Sequence, residues 1–219
     1  MSISNNLNSI RESLAPHVSL VAVSKTKPLA DVEAAYQAGQ RIFGENKIQE
    51  MAQKWEQLPK DIDWHMIGHV QTNKIKYMAP FVGLVHGVDR IKVLGELNKQ
   101  AAKNQRIISC LLQVHIATEE TKFGFSTAEI KEFITQQQIE NYEHLHIKGL
   151  MGMASFSNDK AQISAEFKGL KDLYDWCKNN GANFSTLSMG MSGDYPSAIA
   201  EGSNMIRVGS KIFGSRQKP

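Results

Sequence analysis

Cysteine is scarce in this chain: Cys110 and Cys177 are the two present in 219 residues. A disulfide framework needs more cysteines and an oxidising setting, so both read as reduced, buried core residues. No apolar run of about 18 residues occurs, which leaves no candidate membrane span. The stretch from Met1 to Leu20 carries Asn5, Asn6, Arg11 and Glu12 and has no apolar run, so no signal peptide and a cytoplasmic location are expected. A strong charge of one sign is also missing. Lys and Arg total 25 against 22 Asp and Glu, and the two signs are mixed along the chain. That speaks against the basic stripe of a nucleic-acid binder and leaves mild steering of small anions. His69, His86 and His115 are scattered without the spacing of metal ligands, so no metal site is expected. No linker rich in Pro, Gly or Ser divides the chain, and residues 1–219 read as a single domain.

What is present is ordinary globular composition, 42% apolar and 21% charged, organised by period. Short apolar runs recur: Leu20 to Val23, Arg41 to Gly44, Trp64 to Gly68, Leu84 to His86, Ile107 to Val114, Ile147 to Met151, Ser185 to Ser188 and Met205 to Val208. They are too short for typical helices and read as buried parallel strands. Helical spacing lies between them, as in Leu29, Val32 and Tyr36, or Ile91, Leu94, Leu97 and Ala101. A longer helix is expected from about Asp159 to Lys178, with Ile163, Phe167, Leu170, Tyr174 and Cys177 on one face and Gly181 as its cap. Ser126 and Glu129 form a capping box. Eight strand units in 219 residues, about 27 residues each, suggest an α/β fold closed into a (β/α)8 TIM barrel with an extra N-terminal helix at about Ser4 to Leu14. A doubly wound open sheet is the alternative. It would favour a glycine-rich turn after the first strand, where the chain instead reads Ser24-Lys25-Thr26-Lys27-Pro28.

In such a barrel, chemistry gathers at the C-terminal ends of the strands. Lys25 would be carried there by the first strand. A partly desolvated ammonium loses its proton more readily and becomes a nucleophile for carbonyls. Taken alone, Lys25 reads rather as a solvated lysine at a strand end, since most lysines are exposed. Ser188-Met189-Gly190-Met191-Ser192-Gly193 is a small-residue loop, followed by a short helix with Pro196 in its first turn and Gly202 at its end. The Ser192 hydroxyl and backbone N–H groups there, with Gly209 and Ser210 after the eighth strand, suit a phosphate. Two ordinary Gly/Ser turns are the plainer reading. Arg207 interrupts an apolar strand, so its charge needs a partner; a buried ion pair with a glutamate is the plainer reading there. A nucleophilic lysine, a phosphate cradle and an arginine around one space suggest pyridoxal 5'-phosphate, with its aldehyde on Lys25 and its ring nitrogen facing Arg207. Arginine is a permanent cation that only donates, so the ring nitrogen would stay unprotonated and carbanion chemistry would be weakly supported.

The motifs Ala22-Val23-Ser24-Lys25-Thr26-Lys27-Pro28, Phe43-Gly44-Glu45-Asn46, Trp64-His65-Met66-Ile67-Gly68, Gln71-Thr72-Asn73-Lys74, Gly149-Leu150-Met151, Leu187 to Ser192 and Arg207 to Gly214 together resemble the pyridoxal phosphate homeostasis protein family, in order and over nearly the whole chain. The resemblance implies one barrel like the N-terminal domain of bacterial alanine racemase, with the cofactor bound through Lys25. It further implies that Asn46 lines the pocket, that Ser192, Gly209 and Ser210 hold the phosphate, and that Arg207 meets the ring nitrogen. Two departures stand out. His69 occupies a position where Pro or Gly is expected, at the pocket rim, and Ser210 replaces a frequent Thr while keeping the hydroxyl.

Two classes of function follow. The first is a carrier that holds the cofactor, limits the free aldehyde and hands it to apo-enzymes, with effects on amino-acid and keto-acid balance. The second is a racemase-like enzyme, which needs acid/base groups on both faces of the bound amino acid. Lys25 could serve one face, but no partner is evident for the other. A chain of 219 residues also leaves no room for the second domain that supplies it in alanine racemase. The carrier is therefore expected, as a monomer and not an enzyme, with a cofactor-free Schiff-base aldolase as a further alternative. Lys122 is a candidate second amine near the barrel mouth. His65 is expected as a hydrogen-bonded core residue, Met151 and Met153 as core fillers, and Asn73, Lys74 and Lys76 as a solvated helix face.

Overall fold

The computed structural model describes residues 2–119 and 123–214. After a first helix α1 (Ile3–Glu12), strands and helices alternate through β1 (Ser19–Val23), α2 (Leu29–Gln37), β2 (Ile42–Glu45), α3 (Ile48–Gln57), β3 (Asp63–Met66), a 3-10 turn (Thr72–Tyr77), β4 (Leu84–Val88), α4 (Ile91–Lys103) and β5 (Ile108–Val114). The second half runs through α5 (Thr127–Thr135), a 3-10 turn (Gln138–Asn141), β6 (Leu145–Gly152), α6 (Lys160–Asn179), β7 (Thr186–Ser188), α7 (Tyr195–Ala200), β8 (Met205–Val208) and α8 (Ser210–Phe213). The strands pair in chain order, all parallel, and β8 returns to β1 to close the barrel. The closed sheet settles the choice against an open doubly wound arrangement.

The strands form where the apolar runs lie because most of their residues are covered on both sides, by helices outside and by side chains inside. Phe43, Trp64, Val85, Cys110 and Leu150 join the main core with the buried faces of the helices. Inside the barrel, Leu84, Leu111 and Met151 make a small apolar cluster. Cys110 and Cys177 are both buried free thiols, and burial pushes Cys110 up to about 12 and Cys177 up to about 11. The Ser126–Glu129 capping box starts α5, with Ser126 Oγ accepting from the Glu129 N–H at 3.2 Å and the Glu129 carboxylate accepting from the Ser126 N–H at 2.7 Å.

The link from β3 to β4 is a short 3-10 helix on which Asn73 and Lys76 are exposed, the solvated helix face expected, with Lys76 over the Tyr77 ring. Helix α3 is an element that the apolar spacing did not single out; much of its buried face is the charged Lys54. The seam between β7 and β8 is the thinnest in the barrel, with a single register pair, Ser188 to Met205. Asn204 bridges it from its side chain, accepting from the Leu187 N–H at 2.8 Å and donating to the Ser185 carbonyl at 2.7 Å. The loops leaving this seam are the ones the sequence marks for anion binding.

Among the described residues, no helix is long and apolar enough to cross a membrane.

Candidate functional site

A cavity of about 620 Å³ opens at the C-terminal end of the barrel. Lys25, Asn46, Ser192, Arg207, Gly209 and Ser210 all line it, so the residues singled out from sequence, scattered over more than 180 positions, converge on one space. Gly193, Gln113, Met153, His69 and Phe123 line it as well. Met153 is therefore a cavity residue, not a core filler, whereas Met151 is buried inside the barrel as expected.

Lys25 projects from a turn that is held on both sides. The Ser24 N–H continues the ladder to the Gly44 carbonyl, and Thr26 adopts a left-handed backbone at φ 63°. Lys54, reaching across from α3, donates to the Ser24 carbonyl at 2.8 Å, to Glu45 Oε1 at 2.7 Å and to Glu50 Oε1 at 2.8 Å. Glu50 also accepts from the Thr26 N–H at 2.6 Å, and the Ser24 hydroxyl donates to Glu45 at 2.6 Å. The side chains of Lys54 and Glu45 are 7% and 0% exposed. Burial pushes the Glu45 carboxyl up, against the pull of Lys54 and the Ser24 hydroxyl. A buried ion pair at this location fixes the backbone atoms flanking Lys25, so the direction of the lysine is set by α3 as well as by β1. The sequence held a faint signal for it, an acidic residue at the inner end of an apolar strand, but nothing to pair it with a lysine nine positions on.

On the opposite wall, Gly190 has φ 98°, and a Cβ there would lie 2.6 Å from the Ala198 Cβ. Only glycine lets the loop after β7 fold so tightly onto α7. The Ser192 hydroxyl then accepts from the Gly209 N–H at 3.2 Å, joining the loops after β7 and β8 into one cradle.

Arg207 is 4% exposed, and burial brings its guanidinium down to about 10 with Asp194 resisting, so it is still a cation at neutral pH. Its partners are not a glutamate. Nη1 donates to the Ser188 hydroxyl at 2.5 Å and Nη2 to the Gly152 carbonyl at 2.9 Å. Behind Ser188 a polar chain crosses the barrel interior, buried through His86 and His65 and ending on the half-exposed Asp63. Ser188 Oγ lies 3.0 Å from His86 Nδ1, His86 Nε2 lies 3.0 Å from His65 Nδ1, and His65 Nε2 lies 3.2 Å from Asp63 Oδ2. Starting from Asp63, which only accepts, each neutral imidazole has one N–H to give. His65 then donates to Asp63, His86 to His65, and the Ser188 hydroxyl to His86, leaving its oxygen to accept from Arg207. Burial, with His65 and Arg207 nearby, holds His86 well below the ordinary imidazole range and keeps it neutral. His65 is the hydrogen-bonded core histidine expected. His86, expected at a strand end, lies within β4. The ordering of the rings relative to Ser188 and Arg207 is a tertiary fact with no local sequence signal.

His115 bonds locally to the Glu119 carbonyl, and among the described residues no cluster of three His, Cys, Asp or Glu side chains could hold a metal ion. Lys122 lies outside the described residues.

Comparisons with known proteins show the family and the fold. The family model for the alanine racemase N-terminal domain matches residues 1–217. A pyridoxal phosphate homeostasis protein of Haemophilus influenzae is 37% identical over 231 residues, covering 99% of this chain and 97% of its own. One from Synechocystis is 39% identical over 206 residues, covering 93% and 94%. Among solved structures, PipY of Synechococcus elongatus with PLP bound superposes with a TM-score of 0.89 at 33% identity, over 97% of this chain and 100% of that one. Alanine racemase of Streptomyces lavendulae, at 15% identity and a TM-score of 0.81, covers 99% of this chain but 58% of its own and shows the shared fold alone. The chain belongs to the pyridoxal phosphate homeostasis protein family, which is built on the fold of the alanine racemase N-terminal domain.

Proposed function

We propose that this protein binds pyridoxal 5'-phosphate through Lys25, keeps the free aldehyde scarce, and passes the cofactor to apo-enzymes. The observation that carries this reading is the convergence of Lys25, Ser192, Gly209, Ser210 and Arg207 on one cavity of about 620 Å³, within the range of small-molecule sites. The residues fit the group. The cradle offers the Ser192 and Ser210 hydroxyls and, beyond the Gly209 N–H that already donates to Ser192, the first backbone N–H groups of α8, where helix geometry leaves donors unpaired. Arg207 offers further donors, and Met153 and Phe123 offer apolar walls.

When bound, the cofactor supplies an aldehyde carbon that condenses reversibly with a primary amine. Lys25 brings that amine, held in place by the Lys54–Glu45–Glu50 clamp. Ser192, Gly209 and Ser210 would hold the phosphate, with Asn46 lining the same cavity. Arg207 would donate toward the ring nitrogen and, as a cation that keeps its protons at neutral pH, would leave that atom unprotonated. The carrier role follows from this choice, because handing over the cofactor requires amine exchange and no removal of a Cα proton. The protein is taken to act in the cytoplasm as a monomer, without turnover of its own.

The test is a visible spectrum of the wild-type protein against Lys25→Ala. A band near about 420 nm, as for a protonated imine of this cofactor, is expected in the first alone, with borohydride trapping and peptide mapping placing the adduct on Lys25. A wild-type protein that absorbs only near 280 nm with added cofactor would favour the aldolase reading instead. Sustained, Lys25-dependent exchange of the Cα hydrogen of amino acids for deuterium would favour the racemase.

A further inference from the structure

His69 belongs to a built constellation that the cofactor reading leaves unused. It leaves the end of β3 in the loop over the cavity, which it lines. Its Nδ1 lies 2.7 Å from Asp89 Oδ2, in the loop after β4. The Asp89 side chain is 2% exposed, and its other oxygen accepts from Arg90 Nη1 at 2.5 Å, while Arg90 Nη2 also donates to the Val70 carbonyl at 3.1 Å. Phe123 stacks on the imidazole with ring centroids 4.2 Å apart. The pair meets because β4 passes directly under the loop: a Cβ on Gly87 would lie 2.2 Å from the Gly68 carbonyl oxygen. The His69 side chain remains 35% exposed, and its Nε2 has no hydrogen bond among the described residues.

A carboxylate that accepts only, fixed by an arginine and bonded to Nδ1, holds the N–H there and leaves the lone pair on Nε2. That is the orientation in which an imidazole serves as a general base. Amine exchange needs such a base. An incoming amine arrives as an ammonium at neutral pH and has no lone pair to attack with. We propose that His69 is the proton acceptor for the amine that displaces Lys25, with Asp89 as its positioning residue. This inference rests on the cofactor reading above.

The balance is simple. The ammonium N–H bond breaks and its proton goes to His69 Nε2. The freed amine nitrogen bonds to the carbon that carries Lys25 and passes its second proton to Lys25 Nζ. The bond from that carbon to Nζ then breaks with its electron pair going to Nζ, the carbon–nitrogen double bond re-forms to the incoming nitrogen, and the departing lysine amine takes the first proton back from His69. Nothing is oxidised or reduced, and no water is consumed. Asp89 and Arg90, from the loop after β4, pair behind His69 without lining the cavity; the charged side chains that line it are Lys25 and Lys27 from the loop after β1 and Arg207 from β8, with Asn46 and Gln113 as neutral neighbours.

The test loads the full chain with cofactor, adds methylamine, quenches with borohydride at intervals and reads by intact mass how fast the trapped Lys25 adduct disappears. General-base assistance is worth on the order of 100-fold. His69→Gln is expected to slow exchange at least tenfold near neutral pH, to match the wild type in strong alkali where methylamine deprotonates itself, and to recover with added imidazole. Asp89→Asn is expected to slow it less. In the cofactor-free protein, ¹⁵N shifts of the imidazole are expected to show the proton on Nδ1, and to show both tautomers in Asp89→Asn. Unchanged exchange in His69→Gln, a loss equal at all pH values, or a wild-type imidazole protonated on Nε2 overturns the inference while leaving the cofactor site intact. A wild-type chain that yields no trapped Lys25 adduct overturns the cofactor reading itself.

Discussion

Replacing Lys54 with Met tests the idea that a buried charge pair orients Lys25. Methionine keeps the length and apolar stem of the side chain but removes the three bonds from Nζ to Ser24, Glu45 and Glu50. Glu45, fully buried, then has the Ser24 hydroxyl and no counter-charge. Breaking one side of such a pair costs about 3–5 kcal/mol, which at roughly 2–4 °C per kcal/mol for a chain of this size is a fall in melting temperature of about 10 °C. Glu45 has an escape in taking up a proton, and this gives the prediction its sign. Its folded pKa is already raised by burial, so the native state binds the proton more tightly than the unfolded one, and stability is greatest below the ordinary glutamate pKa and falls as pH rises through the folded value. Loss of Lys54 removes the main force opposing that rise. The penalty should therefore grow with pH, by up to about 1.4 kcal/mol per unit, and shrink on acidification. Thermal melts followed by circular dichroism at about pH 5 and about pH 7.5 measure this directly, and the double variant Lys54→Met, Glu45→Gln should recover much of the loss. A penalty below about 1 kcal/mol, a penalty independent of pH, or a double variant as unstable as the single one would refute the reasoning.

Ser188→Ala removes the hydroxyl that links Arg207 to His86 and leaves a buried donor on Arg207 and a buried acceptor on His86 unpaired. The expected cost is about 1–3 kcal/mol, with weaker cofactor retention measured by equilibrium dialysis. His86 has a folded pKa depressed by burial, so stability present above the ordinary imidazole range is lost as pH falls below it. A His86→Asn variant should show a flatter acid limb than the wild type in the same melts. Gly190→Ala forces a side chain into a left-handed position against Ala198 and should lower stability by about 1–3 kcal/mol while weakening inorganic phosphate binding by calorimetry.

The barrel was legible because its strands advertise themselves. Leu20 to Val23 is apolar on both faces and Met205 to Val208 is apolar but for Arg207, and such runs at even spacing admit few arrangements. The site residues were legible for a related reason: a lysine just past the end of a strand, glycine-serine turns, and an arginine inside an apolar strand each break a local rule, and such breaks gather where function sits. Lys54 breaks no visible rule. It sits on a helix of polar appearance, and its burial depends on Glu45 and the Ser24 carbonyl arriving from two other segments. Met153 read as a core filler because a methionine two positions past Met151 looks the same from sequence whether it faces packed side chains or a cavity. His69 stood out as a departure at the pocket rim, but its meaning waited on Asp89, twenty positions away and placed beside it by adjacent strands.

The sequence by itself determined the alternation of elements, the closure of eight of them into a ring, and the residues presented at its mouth, because period and local backbone chemistry act over a few neighbouring positions. Only the tertiary structure decided how those residues are held: the clamp beneath Lys25, the polar chain behind Arg207, and the imidazole aligned by Asp89. Hydrogen bonds and buried charges depend on distance and solvent exclusion, and both come into being when segments far apart in the chain are brought together.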